Sequence, residues 1–191
     1  MALEPEIANL VNDFISAGRP SSRNQTFRER RDGYVASTAL AGSTETRVNI
    51  EDMIIDNIPL RIFSPLNEKK VLPTVVYYHG GCFISGGFLT HENQLRQIAF
   101  LGGCRVVAVQ YRLAPEHTYP AAHDDAEYAA NTVWKHAQAL GIDRNCITLM
   151  GDSAGGHLAL ITALRVRSAG QWLSSCLLYT SDAADDGESV D

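Results

Sequence analysis

Ser153 stands in the run Gly151-Asp152-Ser153-Ala154-Gly155-Gly156, a setting that suits a nucleophilic hydroxyl. The run follows an apolar stretch, Cys146 to Met150, and opens an apolar helical pattern from Ala154 to Arg167. A serine at a sharp strand-to-helix turn is held out above a sheet, with the positive end of a helix behind it. Glycines at 151 and 155 relieve the crowding of such a turn. That arrangement serves acyl transfer. Taken alone, G-x-S-x-G equally describes a glycine-rich loop whose serine caps a helix.

A second motif upstream shifts the balance. Pro73 to Tyr78 reads as a buried strand and runs into His79-Gly80-Gly81-Cys82-Phe83. Where such an elbow does chemistry, the loop after the third strand supplies N–H groups for an oxyanion. Successive glycines let the backbone turn those groups inward and let a substrate approach. Read without the elbow, Gly80-Gly81 is a plain turn and His79 a hydrogen-bonded structural histidine.

Between the two motifs lies Val106 to Ala122, containing Tyr111-Arg112-Leu113-Ala114-Pro115-Glu116-His117 and Pro120-Ala121. With all three segments in order, the chain resembles the bacterial hormone-sensitive-lipase-type esterases, the acetyl-esterase-like, fold-3 branch of the α/β-hydrolases. The resemblance spans roughly residues 40 to 170. It implies Ser153 as nucleophile and the backbone N–H groups of Gly80, Gly81 and Ala154 as the oxyanion hole. It makes His79 a brace for that loop, and Asp152 a hydrogen-bonding support for the elbow. Tyr111 to His117 reads as structural, with Pro115 and Pro120 stiffening a turn into the next helix. One departure is visible: Cys82 stands where the family often has a third glycine.

In these hydrolases the acid and the histidine of the triad follow the serine in the chain. After Ser153 the sequence offers His157 alone. Within the elbow helix, that residue is expected to project back toward the sheet packing rather than over the hydroxyl. The chain therefore holds a nucleophile and an oxyanion hole without their base, and reads as the N-terminal part of a longer enzyme. As it stands, it is expected to be inactive. From about Cys176 the sequence resembles a translated sequencing adaptor and is set apart from the fold. Its acids (Asp182, Asp185, Asp186, Glu188 and Asp191) supply most of the formal net charge of −6. The acidic balance accordingly says nothing about partners.

The remaining pattern supplies the scaffold. Residues 4 to 17 carry Ile7, Leu10, Val11, Phe14 and Ile15 at helical spacing, which predicts an amphipathic cap helix. Residues 19 to 42 read as an irregular or partly helical connector. Strands are expected near Thr46–Ile54, Leu60–Ser64, Thr74–Tyr78, Val106–Tyr111 and Ile147–Met150, with Asp56-Asn57 turning a hairpin between the first two. Helices are expected over Asn93–Leu101, Asp124–Leu140 and Ala154–Arg167. The alternation predicts an α/β fold, a mostly parallel sheet with helices on both faces. Three stretches result: a cap and connector over 1–42, the first part of an α/β-hydrolase domain over 43–175, and the set-apart tail over 176–191.

With 45% apolar residues, the chain has the composition of a globular protein. No apolar stretch is long enough to span a bilayer. No signal peptide, basic stripe, phosphate loop or metal-ligand cluster is legible, so neither nucleic acid nor any cofactor or metal is implied. The cysteines lack paired spacing and suit a reducing cytoplasm; Cys104 and Cys146 are expected to be buried. The function expected of the whole protein is hydrolysis of small carboxylic esters with short acyl groups. A non-catalytic binding protein on the same scaffold, or an amide or peptide hydrolase, would share every residue read here.

Overall fold

The computed structural model describes residues 4–18, 21, 24–66 and 71–170 in full, and the backbone of 176–180. Helix α1 (Pro5–Ser16) starts with proline in its first turn and Glu6 near its positive end, and buries no residue. Helix α2 (Phe27–Ser37) gives the connector its helical part. Its start is fixed by a reciprocal cap: Thr26 Oγ1 accepts from the Glu29 N–H, while the Glu29 carboxylate accepts from the Thr26 N–H. Such a box satisfies two otherwise orphaned donors.

Strands β1 (Val48–Ile55) and β2 (Ile58–Pro65) form the expected hairpin, with Ile55 opposite Ile58. Its turn residues Asp56 and Asn57 have φ of 46° and 71°. Strand β3 (Leu72–Tyr78) is followed by α3 (Phe88–Gly102), β4 (Arg105–Val109), α4 (Ala121–Lys135), β5 (Ile142–Asp152) and α5 (Ala154–Ser168). The strand order is β1-β2-β4-β3-β5-β6, where β6 is Cys176–Thr180. β2 runs antiparallel to β1 and β4; the pairs β4–β3, β3–β5 and β5–β6 are parallel. This is the doubly covered α/β architecture predicted from the alternation.

Because side chains alternate across a strand, neighbouring residues of β3 feed opposite cores. Tyr78, Val76, Val107 and Val109 pack with Leu158 and with Ala126, Ala129, Ala130 and Val133 of α4. The alanines let that helix lie close to the sheet. Tyr77 faces the other way, with Phe63, Val106, Leu95 and Ala99. Each large side chain removed from water contributes about 1.5–3 kcal/mol, so these two layers fix the strand order.

Several boundaries differ from the sequence reading, each for a local reason. Helix α3 begins at Phe88 because Gly87 serves as its cap, its N–H donating to Thr90 Oγ1. Helix α4 stops at Lys135, where the Arg144 guanidinium donates to the Trp134 and Lys135 carbonyls. Strand β5 starts at Ile142, since a register shift between Leu72 and Thr74 takes up its irregular entry. Cys104 is buried as expected, but Cys146 lies on that entry and is exposed, which corrects the expectation for it. Cys176–Thr180 pairs with Thr148–Asp152, so the first residues of the set-apart tail lie beside β5. A parallel edge accepts a short apolar run through backbone bonds alone; the pairing therefore bears on geometry and not on where that segment came from. Residues 181–191 lie outside the described residues.

Candidate active site

Strands β3 and β5 are neighbours, with Tyr78 opposite Gly151, so the loops leaving their ends start side by side. The turn from β5 into α5 is tight. Ser153 has φ 50° and ψ −118° and is exposed, while Ala154 behind it is buried. A non-glycine residue in that region costs of order 1–3 kcal/mol and persists only where its surroundings enforce it. The enforcement is visible in the glycines. A Cβ on Gly155 would overlap the Tyr78 carbonyl, and one on Gly151 would overlap the backbone of Gly155. The first turn of α5 thus rests directly on the end of β3, and Ser153 bridges the remaining gap.

Asp152 joins the two loops. Its Oδ1 accepts from the Gly80 N–H at 2.9 Å and from the Tyr77 hydroxyl at 2.8 Å. His91 Nε2 lies 3.3 Å from the same oxygen. Burial works to raise the Asp152 carboxyl, but the bonds from His91, Tyr77 and Gly80 outweigh it and hold the group below the usual aspartate range. Asp152 thus ties the loop after β3 to the β5–α5 turn.

One expected role is corrected by this contact. The Gly80 N–H was expected to face an oxyanion; it is already donated to a carboxylate, and Gly80 itself is buried. Gly81, with φ 123°, lies where a Cβ would overlap the Ser85 carbonyl. Its own carbonyl accepts from Ile84 and Ser85 N–H groups at 3.0 Å. Cys82 and Phe83 follow at φ 55° and 61°. Gly81, Cys82 and Phe83 are thus three consecutive residues at positive φ in the loop that leaves β3.

His79 lies under this loop, as expected. Its Nδ1 is 2.8 Å from the Gly80 carbonyl, and its ring stacks on Tyr111 at 4.3 Å. The Tyr111 hydroxyl donates to the His79 carbonyl at 2.6 Å. Burial pushes the imidazole down to about 4, against an opposing pull from the Gly80 carbonyl. The ring lies between Tyr111 and His91, with Nδ1 against the carbonyl of Gly80 in the loop.

Other residues in this network carried no signal in the sequence reading. Tyr34 of α2 sits 3.4 Å from His91 Nε2, so the connector helix reaches the Asp152 cluster. Arg31, one turn earlier, donates to the Ile84 carbonyl at 2.7 Å and the Ala114 carbonyl at 3.0 Å, and forks onto Glu116. That fork draws the Glu116 carboxyl down to about 2. A usable signal existed for His91: it precedes Leu95 and Ala99 at helical spacing, and all three are buried. His157 departs from expectation. It does not point into the sheet packing; it is exposed, and its Nε2 lies 3.1 Å from His123 Nε2. Among the described residues, no side chain is hydrogen-bonded to Ser153.

The family model described as alpha/beta hydrolase fold matches residues 75–190. Esterase LipI of Mycobacterium tuberculosis is 41% identical over 129 residues, which cover 64% of this chain and 40% of that protein. Ethyl acetate hydrolase of Pseudomonas putida is 33% identical over 175 residues, covering 85% and 55%. Among solved structures, the hyperthermophilic esterase of Pyrobaculum calidifontis superposes with a TM-score of 0.81 at 34% identity, covering 93% of this chain and 58% of that one. The ester-hydrolase EH1AB1 from the Lake Arreo metagenome gives 0.84 at 30% identity, covering 96% and 62%. The chain spans about half the length of the curated relatives it matches.

Proposed function

The chain belongs to the alpha/beta hydrolase fold family, and from that premise we propose that the whole protein hydrolyses short-acyl carboxylic esters with Ser153 as nucleophile. The kinship with esterases supports ester hydrolysis. The exposed Ser153, strained at the head of α5 beside a loop pinned by Asp152, carries the assignment of the nucleophile.

The reaction follows from the positions of these groups. Ser153 Oγ forms a bond to the acyl carbon as its proton passes to a base, and the carbonyl π pair moves onto oxygen. The oxyanion is taken up by the N–H groups of Gly81, Cys82 and Ala154, with the helix terminus adding positive potential. Cys82 replaces Gly80 in this set because the Gly80 N–H is spent on Asp152. Collapse expels the alcohol, which takes up the proton, and leaves an acyl-serine; water repeats the sequence and releases the acid. Removing one such donor costs roughly a hundred- to a thousand-fold in rate. The base is a histidine oriented by an acid, expected further along the chain than Ser153.

A p-nitrophenyl acetate series assayed beside an anilide series with the full-length protein tests the proposal. Turnover of acetate and butyrate esters with little anilide cleavage is expected. Ser153→Ala should lower kcat by about 10⁴-fold or more. A Ser153→Ala variant with parental activity would remove the assignment, and cleavage of anilides at comparable rates would move it to amides.

A further inference from the structure

We propose that His123 and His157 form a binding site for a divalent transition-metal ion of zinc, nickel or copper character, one helical turn from Ser153. His123 lies in the first turn of α4 and His157 in the first turn of α5. Their Nε2 atoms are 3.1 Å apart, with the rings nearly perpendicular at 85°. Two imidazole nitrogens at that separation, each about 2.05 Å from a shared ion, subtend about 98° at the metal. That angle falls between the octahedral and tetrahedral values, so both coordination types are open to an ion there.

The rings are held for this role before any ion arrives. Phe83 stacks on His123 at 5.7 Å and meets His157 edge-on at 5.8 Å; Tyr119 meets His123 edge-on at 5.1 Å. His123 Nδ1 is shut from solvent with no partner among the described residues, so Nε2 is the nitrogen this ring offers. Arg165 would repel a cation, but it donates to Asp124 at 3.1 Å and to Glu127 at 3.3 Å. Those carboxylates neutralise it.

No group of three or more ligating side chains is present among the described residues, so water completes the shell from the exposed side of His157. The site is therefore exchangeable rather than structural. Phe83 follows Cys82 in the chain and packs on both rings, so an ion here sits against the loop that borders Ser153. A simple histidine–histidine hydrogen bond is the competing account of the same 3.1 Å contact, and the two differ in what they bind.

Metal-stripped full-length protein is to be titrated with Zn²⁺, Ni²⁺ and Cu²⁺ by calorimetry, with melting curves alongside. One ion per chain is expected, with a melting temperature that climbs with ion concentration as linkage requires. His157→Gln, on the exposed ring, should weaken binding roughly tenfold or more; His123→Asn should do the same. The Cu²⁺ complex should show two nitrogen ligands by electron paramagnetic resonance, a readout that needs no variant to fold. Absence of a saturable ion, unchanged affinity in both variants, or oxygen-only coordination would each overturn the site. None of these outcomes depends on ester hydrolysis.

Discussion

Among the described residues, positive φ occurs at non-glycine residues in two regions, and they are unlike. At the β1–β2 turn it falls on Asp56 and Asn57, at φ 46° and 71°. Short polar side chains tolerate that region through local hydrogen bonds, and here the one long-range tie among the described residues is from the Tyr128 hydroxyl to the Asp56 side chain, not to the turn's backbone. Around Ser153 it falls on Ser153, Cys82 and Phe83, residue types with little local reason to be there. The hairpin chooses its conformation; the loops around the serine have theirs imposed. The contacts that impose it are the Asp152 carboxylate on Gly80, the Tyr78 carbonyl against Gly155, and Arg31 on the Ile84 carbonyl.

The largest test of that contrast is Gly155→Val. Its side chain would meet the Tyr78 backbone, which cannot give way without parting β3 from α5. A loss of about 3 kcal/mol or more is expected in urea denaturation; a loss within 1 kcal/mol would mean the elbow is not forced by this contact. Next comes Asp152→Asn. Because the folded Asp152 carboxyl sits below its usual value, its contribution is complete above the unfolded pKa of about 3.9 and fades as pH falls through the folded value. The variant should be less stable by about 1–3 kcal/mol at pH 7, and the gap to the parent should close below about pH 4. A gap independent of pH would assign the effect to packing rather than charge.

The smallest effects separate the two regions most directly. Cys82→Gly should stabilise the protein by about 0.5–1 kcal/mol, since relief of left-handed strain exceeds the added freedom of the unfolded chain. Asn57→Gly should change stability by less than about 0.5 kcal/mol. Paired melting curves of the two variants decide it, and equal shifts would erase the distinction.

The same contrast explains what the sequence made legible. The hairpin turn, the apolar strands and the serine elbow announce themselves because their residues act on near neighbours. The Gly80 assignment failed because the fate of its N–H depends on Asp152, 72 residues away, and on the register that sets Tyr78 opposite Gly151. His157 was misplaced for a similar reason. Helical geometry gives its direction relative to its own axis, but α4 decides what stands there, and α4 presents His123. Glu116 pairs with Arg31, which lies 85 residues earlier in a segment whose packing no local pattern announces. α1 shows the limit of periodicity: its amphipathic stripe is plain, and none of its residues is buried.

Arg31 spends one side chain on three attachments that leave from two different strands. Ile84 belongs to the segment after β3; Ala114 and Glu116 belong to the segment after β4. If α2 shifted by even a few ångströms to admit a bulky guest, it would have to drag both segments along or abandon a carboxylate and two carbonyls at once. Through this one guanidinium, α2, the segment after β3 and the segment after β4 are bound to move as a unit.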